Sequence, residues 1–172
     1  MADTTPIRPT DDAARVLARQ LLAAVRFAAL GVLNAETGLP EVTRIALVPG
    51  PDGAPLSLVS DLSAHTRALR ARPDASLLVG EAGDRGDPLT HPRLTLTCRA
   101  AFTEHRAPGF MPLRAHYLAL VPKAKLYIDF ADFHFIRFRP LSGLLNAGFG
   151  KAYELDKKDL TLAPGRGDRF SD

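Results

Sequence analysis

After a polar opening, the chain settles into short apolar blocks separated by turn-forming residues. Leu17, Leu21 and Val25 recur at four-residue spacing, with Ala14 and Ala18 beside them, which is the apolar stripe of a surface helix. Asp11 or Asp12 can cap it, so the spacing predicts a helix from there to Val25. Residues 26–33 are a short apolar run closed by the turn-rich 34–38, the pattern of a strand and a hairpin turn. Residues 42–48 read as a second strand, 49–53 as a strong turn and 56–60 as a third strand, together an antiparallel meander. Ser63 caps a short helix through Arg70, and Pro73 ends it.

Residues 75–81 form a fourth strand. The stretch 82–92 holds two Gly and two Pro and is a loop long enough to carry function. From 93 to 103 the alternation is clean. Leu94, Leu96, Cys98, Ala100 and Phe102 take one face, and Arg93, Thr95, Thr97 and Arg99 the other, as in a half-buried antiparallel strand. A further helix is predicted over 112–120, ended by Val121 and Pro122. Residues 133–141 read as the last strand, with Pro140 marking its end or an edge position. Short strands at regular spacing with few helices predict a small closed or half-closed β-barrel. The expected division is a mobile tail over 1–10, one barrel domain over 11–155 and a polar C-terminal tail over 156–172, with the chain loosely held from Lys151.

Composition narrows the function classes. At 172 residues the chain is one domain, and 46% apolar with 24% charged residues is an ordinary globular balance. No apolar run approaches the ~20 residues of a bilayer-spanning helix, so no membrane partner is expected. The N-terminus lacks a basic segment followed by an apolar one, and Cys98 is the lone cysteine. These features predict a cytoplasmic protein with no disulfide and no metal cluster. The net charge is only +3. Arg67, Arg70 and Arg72 form one basic group, and Arg137 and Arg139 another, each read as a solvated face. Phe133, Phe135 and Phe138 interleave with the second group, a pattern able to stack bases. A core strand carries the same pattern, and no nucleic-acid partner is expected.

The chemistry concentrates between residues 43 and 81, TRIALVPGPDGAPLSLVSDLSAHTRALRARPDASLLVGE. An Arg on one strand, and Ser, His, Thr and Arg at the start of the next helix, are the parts of a phosphate site, because a helix N-terminus offers free N–H groups and a positive dipole end. No Ser-His-Asp set, H-E-x-x-H motif or pair of catalytic carboxylates stands out, so the catalytic residues are unknown. Asp61 reads as a turn residue binding its own backbone. His91, His105, His116 and His134 read as structural, Cys98 as a small buried hydrophobe, and Gly148 and Gly150 as a tight turn around Phe149.

The order helix, meander, T-R-x-A-L strand and L-V-S-D-L-S-x-H-T-x-x-L before a Pro-ended helix resembles the pyridoxamine 5'-phosphate oxidase-like FMN-binding split barrels, closest to the haem-utilisation-related branch. T-H-P-R-L-T-L at 90–96, Asp132-Phe133, and N-A-G-F-G at 146–150 agree, and the resemblance covers roughly residues 12–155. It implies a six-stranded antiparallel split β-barrel with flanking helices (mainly β, α+β) and a homodimer with FMN in the groove between subunits. The family's R-x-V-L-L-K motif falls on Arg44–Pro49, so Arg44 would pair with the FMN phosphate and Ile45, Ala46 and Leu47 would lie by the flavin. The family's aromatic-Thr pair falls on Val59-Ser60, which assigns Ser60 to the ribityl chain or phosphate. Its Arg-Lys pair falls on His65-Thr66 or, one residue later, on Thr66-Arg67. Thr90, beside His91, lies where the family reaches the partner subunit's flavin.

Three departures qualify the resemblance. Pro49 stands where the family has lysine, the C-terminal Trp and Arg-x-His segment of vitamin B6 oxidases is missing, and residues 151–172 hold no histidine to serve as a C-terminal haem ligand. The implied function is an FMN-dependent oxidoreductase of unknown substrate, in which the flavin supplies the redox chemistry. The alternative is a non-catalytic flavin- or haem-binding module.

Overall fold

The computed structural model describes residues 7–160. Strand β1 (Ile7–Arg8) leads into helix α1 (Asp12–Ala24), whose N-cap Asp11 accepts the Ala14 N–H at 2.7 Å. The helix buries Ala14, Ala18 and Leu22, while Leu17 and Leu21 are only partly covered. The buried stripe is thus displaced from the predicted leucines toward the alanines, whose small side chains let the helix lie close on the barrel.

The next elements follow the predicted order: β2 (Phe27–Leu33), β3 (Pro40–Ala46), β4 (Val48–Pro49), β5 (Pro55–Ser60), α2 (Ala64–Ala71), β6 (Asp74–Val79), β7 (Arg93–Thr103), α3 (Phe110–Leu120), β8 (Phe133–Asn146) and β9 (Ala152–Asp156). Antiparallel ladders join β3 to β2, β2 to β6, β6 to β7, β7 to β8, β8 to β5 and β5 to β4. β4 continues β3 across Leu47, whose N–H turns to the Arg26 carbonyl at 3.0 Å. The path therefore returns on itself as a six-stranded antiparallel barrel. Beside this junction β3 is the last strand of its sheet, and its other edge carries no ladder among the described residues. The Ser57 hydroxyl bridges the gap by donating to the Ala46 carbonyl at 2.7 Å.

Among the described residues nine strands are paired, against six predicted. β4 is the broken end of β3, and β1 and β9 extend the sheet past the barrel. β8 does not stop at Pro140 but runs on to Asn146. Pro140 pairs with Cys98 where the β7–β8 register shifts, and that irregularity absorbs its missing N–H. The loose chain expected from Lys151 is instead β9, antiparallel to β8 and parallel to Ile7–Arg8. Tyr153 and Leu155 alternate inward from it, and Leu160 is buried too. Of the predicted tails over 1–10 and 156–172, residues 1–6 and 161–172 lie outside the described residues.

Leu30, Leu77 and Leu96 sit opposite one another on three adjacent strands and are fully buried in the barrel. Each contributes about 1.5–3 kcal/mol of apolar transfer. A second cluster lies under α3, where Phe110, Leu113 and Tyr117 pack on Leu56, Leu58 and Phe135. β8 is therefore buried on both faces, with Ile136 and Phe138 in the barrel and Phe135 under α3. Phe135 and Phe138 are wholly inaccessible and cannot stack bases.

Gly80 ends β6 at φ +98°, a conformation that L side chains rarely adopt. A Cβ there would stand 2.5 Å from the Pro92 carbonyl oxygen and 2.9 Å from the Arg93 Cα. Gly80→Ala is expected to cost about 1–3 kcal/mol, read as a lowered urea midpoint at unchanged slope.

Candidate functional site

The alternation of β3 sorts the implied flavin residues into two sets. Ile45 and Leu47 point into the barrel core, while Arg44 and Ala46 are exposed. Arg44 lies with its guanidinium 5.1 Å from the Phe27 ring centroid, and among the described residues no carboxylate pairs with it. It is a positioned cation free to receive an anion.

Between the open edge of β3 and the start of α2 lies a groove of about 530 Å3, lined by Val32, Glu41, Val42, Thr43, Ser63, Ala64 and His65. Ser63 is the N-cap residue of α2, yet its hydroxyl makes no capping bond. The Ser63 carbonyl accepts from Thr66 and Arg67 at 3.1 and 3.3 Å. The N–H groups of Ala64 and His65, in the first helical turn, have no intrahelical partner. The His65 imidazole is half-buried and makes no hydrogen bond among the described residues. Burial pushes its pKa down, which favours the neutral ring.

The remaining implied residues are otherwise engaged. The Ser60 hydroxyl donates to Asp132 and accepts from the Leu62 N–H at 3.1 Å. Thr66 is wholly buried, and its hydroxyl has no partner among the described residues. Arg67 donates to the Leu62 carbonyl at 3.0 Å, and Thr90 donates to the Asp87 carbonyl at 2.7 Å, away from the groove walls. A larger hollow of about 890 Å3 beside β8 and β9 has its cation, Arg15, already bound to Asp159 at 2.6 Å.

The turn from β5 into α2 is held by a cluster absent from the sequence reading. Asp61 does not bind its own backbone; its carboxylate accepts from Arg70 at 2.9 Å and faces the His134 Nε2 at 2.7 Å. Arg70 also donates to both oxygens of Glu104, at 2.9 and 3.1 Å, and stacks 4.4 Å from the Phe102 centroid. His134, expected to be merely structural, is the hub of this cluster. No spacing rule unites residues 61, 70, 104 and 134, because they come from four separate segments. Two of the other expected structural histidines brace backbone, His91 contacting Gly83 and Arg85 and His116 donating to the Pro49 carbonyl at 2.8 Å, whereas the buried His105 Nδ1 has no partner among the described residues. Cys98 is a buried hydrophobe, its thiol pushed up to about 12 by burial.

Burial alone would raise the Asp61 carboxyl, but hydrogen bonds from His134 and Arg70 outweigh it and hold it below its ordinary value of 3.8. Arg70 likewise holds Glu104 below its ordinary 4.5. The stability from these depressed carboxylates is present above those ordinary values and lost as pH falls through the lower folded ones. The melting temperature is expected to drop on acidification below about pH 4, and less steeply in Glu104→Gln than in the wild type.

No family model matches the chain. It is 34% identical over 131 residues to the chloroplastic haem oxygenase HOZ of Arabidopsis thaliana, covering 73% of this chain and 39% of that protein. The chain thus spans less than half the length of that relative. A solved structure 50% identical to it superposes with a TM-score of 0.80 over 90% of this chain and 99% of the other. The haem-binding protein of Mycobacterium smegmatis is 29% identical, with a TM-score of 0.75 over 90% of this chain and 61% of that one. A Clostridium acetobutylicum protein of the pyridoxine phosphate oxidase family shares the fold, at 16% identity and a TM-score of 0.63, over 88% of this chain and 99% of that one. The chain belongs to the pyridoxamine 5'-phosphate oxidase-like split-barrel family, in its haem-utilisation-related branch. Among the described residues of this split barrel, no helix is long and apolar enough to cross a membrane. Pro49, at the family's lysine position, serves the fold through its carbonyl bond with His116.

Proposed function

We propose that the chain is a haem-handling protein that binds haem in the groove between the open edge of β3 and the start of α2. The carrying observation is His65: a half-buried imidazole with no hydrogen-bond partner among the described residues, on the wall of a groove that Val32 and Val42 also line. A neutral imidazole is a common protein ligand of haem iron. Arg44, outside the groove's lining but next to Thr43 on the same strand, has a guanidinium, uncommitted to any carboxylate, that could reach a propionate. The groove volume lies in the range of ordinary ligand sites, about 300–1,000 Å3. The haem names carried by the Arabidopsis and Mycobacterium relatives support the same reading. Bound haem supplies the redox chemistry; the residues here ligate, orient and shield it.

A second reading, FMN binding with oxidoreductase activity, is favoured by Arg44 and the open N–H groups at the α2 N-terminus, which suit a phosphate. We extend either reading to a homodimer. The outer sheet face exposes Leu33, Val42, Leu78 and Leu144 on β2, β3, β6 and β8, with Leu78 and Leu144 in register through Thr95. Such an apolar face suits a second copy.

The test is an absorbance titration of purified protein with haemin and, separately, with FMN. A shifted haem spectrum saturating at equimolar haemin is expected. Saturable uptake of FMN alone would favour the flavin reading, and uptake of neither would overturn both. Sedimentation at micromolar concentration tests the dimer.

A further inference from the structure

His134 stands in an arrangement with two alternative proton placements. Its Nε2 faces the Asp61 Oδ2 at 2.7 Å, a contact that needs a proton on the nitrogen. Its Nδ1 meets two groups of opposite kind. The His105 backbone N–H points at it from 3.1 Å, and the Glu104 Oε2 lies 2.8 Å away. A neutral ring with its proton on Nε2 can accept from His105 but must face the Glu104 carboxylate with a lone pair. An imidazolium gives a proton to Glu104 and loses the bond from His105. Protonation therefore exchanges one partner for the other without moving the ring.

The charged groups around the ring are few. Asp61 comes from the turn after β5, Glu104 from the turn after β7 and Arg70 from α2. Asp132, in the turn just before β8, is taken up by Ser60, and the His105 ring stacks on Phe110 at 4.7 Å. With His134 protonated, Asp61, His134, Glu104 and Arg70 close a ring of two anions and two cations. With His134 neutral, one side of that ring opens and a net negative charge is left.

We propose that His134 is a proton switch that sets how firmly the β5–α2 turn is held, and through it the groove formed by Ser63, Ala64 and His65. Asp61 is the link. It lies two residues before the N-cap, its N–H bonds the Asp132 carbonyl at 2.9 Å, and the Ser63 N–H bonds the Ser60 carbonyl at 3.1 Å. Imidazoles as a class change charge between about pH 5 and pH 8, and the test spans that window. The carboxylates of the ring are held below their ordinary range and stay charged there. The sign follows: the turn is tightest with His134 protonated and loosens when the ring loses its proton.

The structural half of the proposal needs no ligand. The link to groove affinity rests on the groove being the binding site. The test follows the His134 ring by NMR and measures hydrogen exchange of the Asp61 and Ser63 amides in the same samples, across about pH 5 to pH 8. After correction for intrinsic exchange, protection in the wild type is expected to fall about threefold to tenfold as His134 loses its proton, the range of one ordinary hydrogen bond, because the bond from His105 offsets part of the one lost to Glu104. His134→Gln should abolish that dependence and Glu104→Gln should shrink it. Equal pH dependence in wild type and His134→Gln, or a ring that does not titrate in step with protection, would overturn the proposal. Haemin affinity measured in parallel should decline over the same window, which distinguishes this effect from titration of His65, whose pKa burial pushes down. A switch in amide protection without uptake of haemin or FMN would sink the assigned function and leave the switch standing. Uptake with pH-independent protection would do the reverse.

Discussion

His65→Ala is expected to remove the haem signature while leaving the fold intact. The side chain is half-buried and bonded to nothing among the described residues, so its loss strands no partner and opens no core cavity. Haemin affinity should fall at least about tenfold, equivalent to ~1.4 kcal/mol, and the spectrum of any residual complex should lose the features of an imidazole-bound iron. Arg44→Ala gives the complementary result. A charge-assisted contact to an anion is worth about 1.5–3 kcal/mol, so removing the guanidinium should weaken a propionate or a phosphate alike. The pair therefore separates the two readings. Loss of haemin binding in both variants fits haem held by iron and propionate. Loss of FMN binding in Arg44→Ala with none in His65→Ala fits a flavin phosphate. Unchanged haemin binding in His65→Ala would remove the assignment of that imidazole. Thermal melts of the two variants, expected within about 0.5 kcal/mol of the wild type for surface changes, check that the fold is retained.

Phe135→Ala should have the largest effect on stability, about 3–5 kcal/mol. The ring is fully buried, lies 5.1 Å from Phe110 and 5.5 Å from Tyr117 between centroids, and fills the space between β8 and α3. Its removal leaves Leu56, Leu58, Leu113 and Ile128 around a void that the barrel wall cannot close. Denaturant unfolding measures the loss directly. A change below about 1 kcal/mol would mean that α3 is loosely docked and contributes little to the fold. The same residue answers the question raised by the aromatic and basic residues of this strand. They interleave because β8 is covered on both faces, by the barrel and by α3.

Much of the fold was legible because local rules govern it. Alternation at period two marks β7 from Arg93 to Thr103, and turn residues bound β2, β3 and β5. The end of β8 was misread because Pro140 is a local stop signal. The register shift that accommodates it involves Thr97 and Cys98, about forty residues earlier in the chain. β9 was missed for a similar reason. Tyr153 and Leu155 alternate among charged neighbours, and they become a strand by pairing with β8 and with Ile7–Arg8. The motif around Arg44 and His65 was visible as a motif, yet it did not show which of its members face a ligand. Arg44 and His65 do lie at the surface, whereas Ile45, Leu47 and Thr66 turn inward.

The sequence by itself determined the order of the six barrel strands, the start of α2 and the family, since each depends on residue type and short-range spacing. Only the tertiary structure decided where the barrel splits, which side chains line the groove, and that Asp61, Arg70, Glu104 and His134 meet. Those outcomes depend on contacts between residues up to 73 apart in the chain, and they exist only once the sheet has closed.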